Sequence, residues 1–165
     1  MYMDASVRIN LSEIKYEVKF DSWLKEKIVN AEAENAQSGH KAVDYAYKSD
    51  KAEDWLIRQI TDAIDELHGE LRWCVHEDDR MTSDEITEAP DYWEVHFRFG
   101  RGWRGSMRAL KKHIHAYVVA YVLGKWYRIS QPSVAPAYME EAAGELNKAY
   151  TEARNEIIDI EPWTL

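Results

Sequence analysis

The residues of this chain best able to do chemistry are few, and their spacing works against it. His113 and His115 sit two apart in HIHAYVVAYVLGKWY. On a helix that offset turns them about 200° apart, whereas a shared metal ion needs a spacing of three or four. In a strand they could chelate, but the surrounding period is helical. Cys74, His76, His96 and His113 can be written down as a metal set, yet only Cys74-x-His76 is local, and that is not a zinc spacing. Cys74 therefore reads as a small apolar residue at a helix end, with no base placed beside it to activate the thiol.

Carboxylate pairs such as Asp62, Asp65 and Glu66, or Asp78 and Asp79, are abundant here, and in an acidic protein they usually form a solvated face. The glycines of GRGWRG lack the Lys-Ser/Thr of a P-loop and the spacing of a dinucleotide fingerprint. No catalytic, metal-ligating or cofactor-binding residue is expected from this inventory. What remains is a charge asymmetry. Arg98, Arg101, Arg104, Arg108, Lys111 and Lys112 form a basic cluster just downstream of the acidic stretch HEDDRMTSDEITEAPD. The plain reading is ordinary surface with local pairing. The sharper one is a head-to-tail contact between subunits: Asp78, Asp79, Asp84 and Glu85 of one face Arg98, Arg101, Trp103, Arg104 and Arg108 of the next. Such a heterologous contact closes into a ring when the rotation allows. Trp163, in the terminal EPWTL, either folds back on its own subunit or fills a partner's pocket.

The bulk composition sets limits on the partners. The 165 residues fit one domain with a sizeable core. A hydrophobic share of 45% with 31% charged residues is ordinary for a folded protein, whereas seven Trp and ten Tyr are unusual and suit boundary packing and protein contacts. The net charge of -9, from 30 acidic against 21 basic residues, repels phosphate backbones and anionic membranes. That sign disfavours gripping DNA but suits a surface along which DNA must slide. One cysteine excludes an intramolecular disulfide and fits a reducing compartment. The start, MYMDASVRIN, lacks the basic-then-apolar order of a secretory leader, so none is expected.

The elements follow from periodicity. Val7, Ile9 and Leu11 alternate with polar residues, as in a half-buried strand. Residues 12 to 30 carry both a period of two and helical spacings, Ile14/Val18 and Phe20/Leu24/Ile28; the length favours a helix with Ser12 as N-cap. Residues 31 to 48 show no sustained apolar face and read as a long connection. From Ser49 a helix is expected, with Asp50, Glu53 and Asp54 in its first turns and Leu56, Ile57, Ile60, Ile64, Leu67, Leu71 and Val75 in one stripe. The acidic stretch 77 to 91 reads as an exposed excursion. In DYWEVHFRFG, Trp93, Val95, Phe97 and Phe99 share one face of a strand that should pair with residues 5 to 10. GRGWRG turns the chain into a helix from about Ser106 to Ile129, apolar nearly all round in its second half and therefore central. Its uninterrupted apolar run, Ala116 to Leu123, is far shorter than the roughly 20 residues of a membrane span, and Lys111, Lys112 and Lys125 flank it. A last helix is expected after Ser133 as N-cap, with Pro136 in its first turn and Met139, Ala142, Leu146, Ala149, Tyr150, Ala153 and Ile157 along one edge. The fold expected is mainly α: a bundle of three to four helices with a small two-stranded β element and long extended loops, residues 1 to 165 forming one domain.

Three segments carry a family resemblance: the helix DWLIRQITDAIDEL, the aromatic strand running through its turn into HAYVVAYVLGKWY, and the small-residue helix AYMEEAAGELNKAYTEARNEI. Over residues 50 to 158 the chain resembles the small helical head–tail connector (adaptor) proteins of tailed bacteriophages, particularly those of phages and prophages from Bacteroidetes. The resemblance implies a structural virion protein and not an enzyme. It implies a dodecameric homo-oligomeric ring beneath the portal protein, joined to other neck and tail proteins, with a channel through which DNA passes without sequence-specific binding. It also implies assembly in the host cytoplasm, residence in the virion neck, no cofactor and no membrane. On that pattern the contact arms are 31 to 48, 77 to 91 and the tail 159 to 165. Two other classes stay open: a small helical DNA-packaging or regulatory DNA-binding protein, motivated by the basic cluster, and a metal-dependent enzyme built from the histidines and acids.

Overall fold

The computed structural model describes residues 2–35, 53–76 and 90–155. The order is β1 (Met3–Asn10), α1 (Leu11–Asn35), α2 (Glu53–Glu70), β2 (Tyr92–Phe99), α3 (Met107–Ser130) and α4 (Ala135–Ala153). The protein is mainly α, with four helices and a two-stranded antiparallel sheet among the described residues.

The sheet forms as the alternation dictates. β1 and β2 pair from Met3↔Phe99 to Asn10↔Tyr92. Val7 and Ile9 of β1 and Trp93, Val95, Phe97 and Phe99 of β2 are buried. The other edge of β2 is met by residues just after α2: Val75 bridges Phe97, the Arg98 N–H donates to the Cys74 carbonyl at 2.7 Å, and the His76 N–H donates to the His96 carbonyl at 2.9 Å. β2 is thus paired on both sides along its C-terminal half, which leaves fewer orphan backbone groups there.

α3 is the middle of the molecule. It packs on α1, α2, α4 and β1, most extensively on α4. Leu110, Ile114, Tyr117, Val118, Tyr121, Val122, Leu123 and Tyr127 are buried along its length. The predicted stripe is buried from Leu56 through Val75, but the helix ends at Glu70, so Leu71 and Val75 belong to the turn and β-bridge that follow α2 and not to its face. Three polar groups that enter this core are hydrogen-bonded: Trp93 Nε1 donates to Thr61 Oγ1 at 3.3 Å, Thr61 donates to the Ile57 carbonyl at 2.9 Å, and the Tyr117 hydroxyl donates to the Ala63 carbonyl at 3.1 Å. These bonds offset the desolvation that would otherwise make each group costly. α4 approaches α3 closely because it presents alanines there; Ala135, Ala142, Ala149 and Ala153 are buried.

Several local expectations need correction. α1 begins at Leu11 with no intervening loop, so Ser12 lies inside the first turn, and the Leu11 N–H is satisfied by the Asp91 carbonyl at 2.9 Å. α1 also runs to Asn35, so residues 31 to 35 are helix and not connection. Ala and Glu in AEAEN are strong helix formers, and a helix leaving the bundle needs no apolar face. α4 is preceded by Val134, with no side-chain cap; a backbone turn, Val134 N–H to the Gln131 carbonyl at 3.1 Å, takes the place expected for Ser133. β1 starts at Met3, two residues earlier than the pairing expected. Residues 36 to 48, the start of the second helix at Ser49, residues 77 to 89, Ile157 and the tail 159 to 165 lie outside the described residues.

Candidate functional site

The basic turn between β2 and α3 is built from its aromatic residues outward. Phe97, Phe99 and Trp103 stack in series, with ring centroids 5.6 Å and 4.2 Å apart. Trp103 Nε1 donates to the Glu152 carbonyl at 3.1 Å, and the Arg104 N–H donates to the Asn155 carbonyl at 2.7 Å. The Ser106 N–H donates to the Glu152 carboxylate, while Ser106 Oγ accepts from the Ala109 N–H at 3.3 Å as the N-cap of α3. Gly105 sits where a Cβ would collide with the Glu152 carbonyl and the Trp103 ring, so only glycine lets the turn lie this close to the end of α4. The turn is therefore clamped, and its side chains have fixed roles. Trp103 is engaged within the chain itself. Arg101, Arg104 and Arg108 are exposed, as are Lys111 and Lys112 one turn further along α3.

Arg98 stands apart from these. It points from β2 to Asp4 on β1, its Nε donating to the carboxylate at 2.9 Å, and this bond holds Asp4 below the usual carboxylate range. The acidic residues expected opposite the cluster, Asp78, Asp79, Asp84 and Glu85, lie outside the described residues, as does Trp163. Of the sequence-predicted site, Arg101, Arg104 and Arg108 are exposed in the turn that carries Trp103 and in the first turn of α3.

Of the residues capable of other chemistry, His113, His115 and Cys74 are held in contacts within the fold. The imidazoles of His113 and His115 go to different helices: His113 Nδ1 lies 2.7 Å from Glu145 of α4, and His115 Nε2 lies 2.7 Å from Glu17 of α1. Burial works against the charge of Glu145, but hydrogen bonds from Lys148 and His113 outweigh it and hold the carboxyl below its ordinary value. Cys74 is buried and its thiol donates to the Leu71 carbonyl at 3.4 Å; burial pushes its pKa up to about 12, the opposite of a nucleophile's requirement. His76 and His96 line a 530 Å³ cleft on the solvent face of the sheet with Asp4, Ser6 and Arg98. Among the described residues no group of three or more His, Cys, Asp and Glu is placed to hold a metal ion. No helix among them is long and apolar enough to cross a membrane.

Sequence reasoning missed two features. Asp21 of α1 accepts from the hydroxyls of Tyr127 at 3.0 Å and Tyr138 at 2.7 Å, tying three helices at one carboxylate. Burial first, then Asp21 through its charge and its hydrogen bonds, pushes both phenols above the ordinary tyrosine range. The partners are 106 and 117 residues apart, so no local pattern could reveal them. The second is the outer face of α1, where Tyr16, Phe20, Trp23, Leu24 and Ile28 are all exposed. The signal for it was present as the Phe20/Leu24/Ile28 spacing. No protein-family model matches the chain, and no curated protein or solved structure matches it either.

Proposed function

We propose that the chain is a structural assembly subunit, a head-to-tail connector that closes into a dodecameric ring between the portal and the tail of a virion and leaves a channel for DNA. One observation carries the reading. The segment of the chain richest in apolar and imidazole groups, α3, is enclosed by other elements, and both of its histidines are spent on cross-helix contacts. The outward surface offers a clamped cationic turn and an apolar helix face instead. Surfaces of that kind dock and do not react. The acidic balance of the chain fits a channel wall that DNA passes without sticking. No cofactor enters this reading. Sedimentation of the full chain with purified portal protein tests it: a ring-sized species that dissociates as salt rises supports a charged head-to-tail contact, and a chain that neither joins the portal nor self-associates at any salt refutes it.

A second reading rests on the cationic edge itself. Arg108, Lys111 and Lys112 share one face of α3, and Arg101 and Arg104 adjoin it. A small DNA-packaging or regulatory protein would use such an edge on phosphates. Duplex binding by the isolated chain that weakens steeply with salt would favour this over the connector.

A further inference from the structure

α1 has two apolar faces, and the bundle uses only one. Ile14, Val18 and Ser22 are buried against the core. On the opposite side Tyr16 is 69% exposed, Phe20 52%, Trp23 48%, Leu24 42% and Ile28 47%. Their spacing puts them on one stripe of the helix. The rings already lie against each other, Tyr16 and Phe20 stacked with centroids 6.3 Å apart and Phe20 and Trp23 tilted at 6.2 Å.

The stripe leaves on the order of 500 Å² of mostly apolar surface in water, at the size where a patch on a monomer is usually functional. Two such stripes face to face remove roughly 1,000 Å², the lower bound for a specific interface. The charges on the same face select the occupant. Glu13 lies near the N-terminal end of the stripe and Lys27 near the C-terminal end, both exposed. When two copies of α1 lie antiparallel with Phe20 on the two-fold axis, Glu13 of each falls opposite Lys27 of the other and Tyr16 opposite Leu24. A self-complementary pattern of this kind is what an isologous contact requires. A lipid surface is a poorer occupant, because Glu13 and Glu17 border the stripe and the chain as a whole is acidic.

We propose that the outer face of α1 is a docking surface for a second copy of this chain, joined antiparallel through Tyr16, Phe20, Trp23, Leu24 and Ile28 and keyed by two Glu13–Lys27 ion pairs. The contact stands apart from the connector reading, since ring closure needs a heterologous contact and this one is two-fold.

Sedimentation equilibrium of the full chain over a concentration series tests the proposal. The wild type forms dimers, and Phe20→Ala raises the dissociation constant at least about tenfold while leaving the thermal midpoint of the dilute monomer unchanged. Glu13→Lys and Lys27→Glu each weaken the dimer about tenfold, because each reverses two symmetry-related pairs, and the double variant returns to within about threefold of the wild type. Arg104→Glu, at the cationic turn, leaves the dimer unaffected, so failure here and failure of the ring are distinguishable. A wild type that stays monomeric up to about 100 µM, or charge reversals that the double variant does not rescue, overturns the proposal.

Discussion

Gly105 shows how one hydrogen atom in place of a methyl can hold two distant parts of the chain together. The atoms a Cβ would strike are a backbone carbonyl and an indole ring already fixed by stacking on Phe99. Neither can swing away as the end of a flexible side chain would. Gly105→Ala is expected to destabilise the fold by about 1–3 kcal/mol. Gly144→Ala on the exposed side of α4, where nothing lies within 4 Å of the new methyl, is expected to stabilise it by about 0.5–1 kcal/mol. Urea titration of the two variants checks both signs. Glu145 gives a pH prediction at the same scale. Its folded pKa lies below the ordinary value of 4.5, so the unfolded chain takes up the proton first as pH falls. The stability it contributes is present above the unfolded pKa and is lost as pH drops through the folded one. Glu145→Gln should therefore flatten the fall in the urea midpoint on the acid side of about pH 5. Tyr127→Phe removes one of the two hydroxyls on Asp21 without opening a cavity, and is expected to cost about 0.5–1.5 kcal/mol in the same assay.

Among the elements, the legible ones were those whose pattern has a single explanation. β2 alternates because one face meets the core and the other meets water, and the α2 stripe recurs at threes and fours because one face alone is buried. α3 read as central because its second half is apolar nearly all round. α1 carried a strand-like period of two beside two helical spacings, and only the helical ones survive in the fold: Ile14 and Val18 face the bundle, while Phe20, Leu24 and Ile28 face outward. A sequence gives no means of telling a second core face from a docking face, since both require apolar residues at helical spacing. The start of α3 was legible where a side chain makes the cap, at Ser106, and the start of α1 was not, where a backbone carbonyl from far along the chain does so, at Leu11. The candidate site divides the same way: the cationic edge was visible as a run of residues, whereas the clamp from Glu152 onto Trp103 spans 49 residues. The two kinds of apolar position differ in energetic consequence. Ile114→Ala in α3 should cost about 2–5 kcal/mol by leaving a cavity in the core. Tyr16→Ala on the outer face of α1 should change the stability of the dilute monomer by no more than about 0.5 kcal/mol. Thermal denaturation at low protein concentration compares them directly.

For the whole molecule, the charge distribution and the placement of reactive groups point the same way. Cys74 is buried with its thiol proton held firmly, and His113 and His115 brace helices on opposite sides of α3. The surface keeps a cationic edge at the β2–α3 turn on a chain whose net charge is -9. That polarity suits docking between unlike faces more than a uniform grip on nucleic acid. Electron microscopy of the full chain mixed with a purified portal protein tests the proposed connector most directly. The account predicts a closed ring of subunits, each with its cationic turn against a neighbouring subunit and α3 hidden inside the subunit wall. A lone subunit with α3 opened onto a solvent-filled cleft, and its two imidazoles turned together onto a bound ion or small molecule, would contradict it.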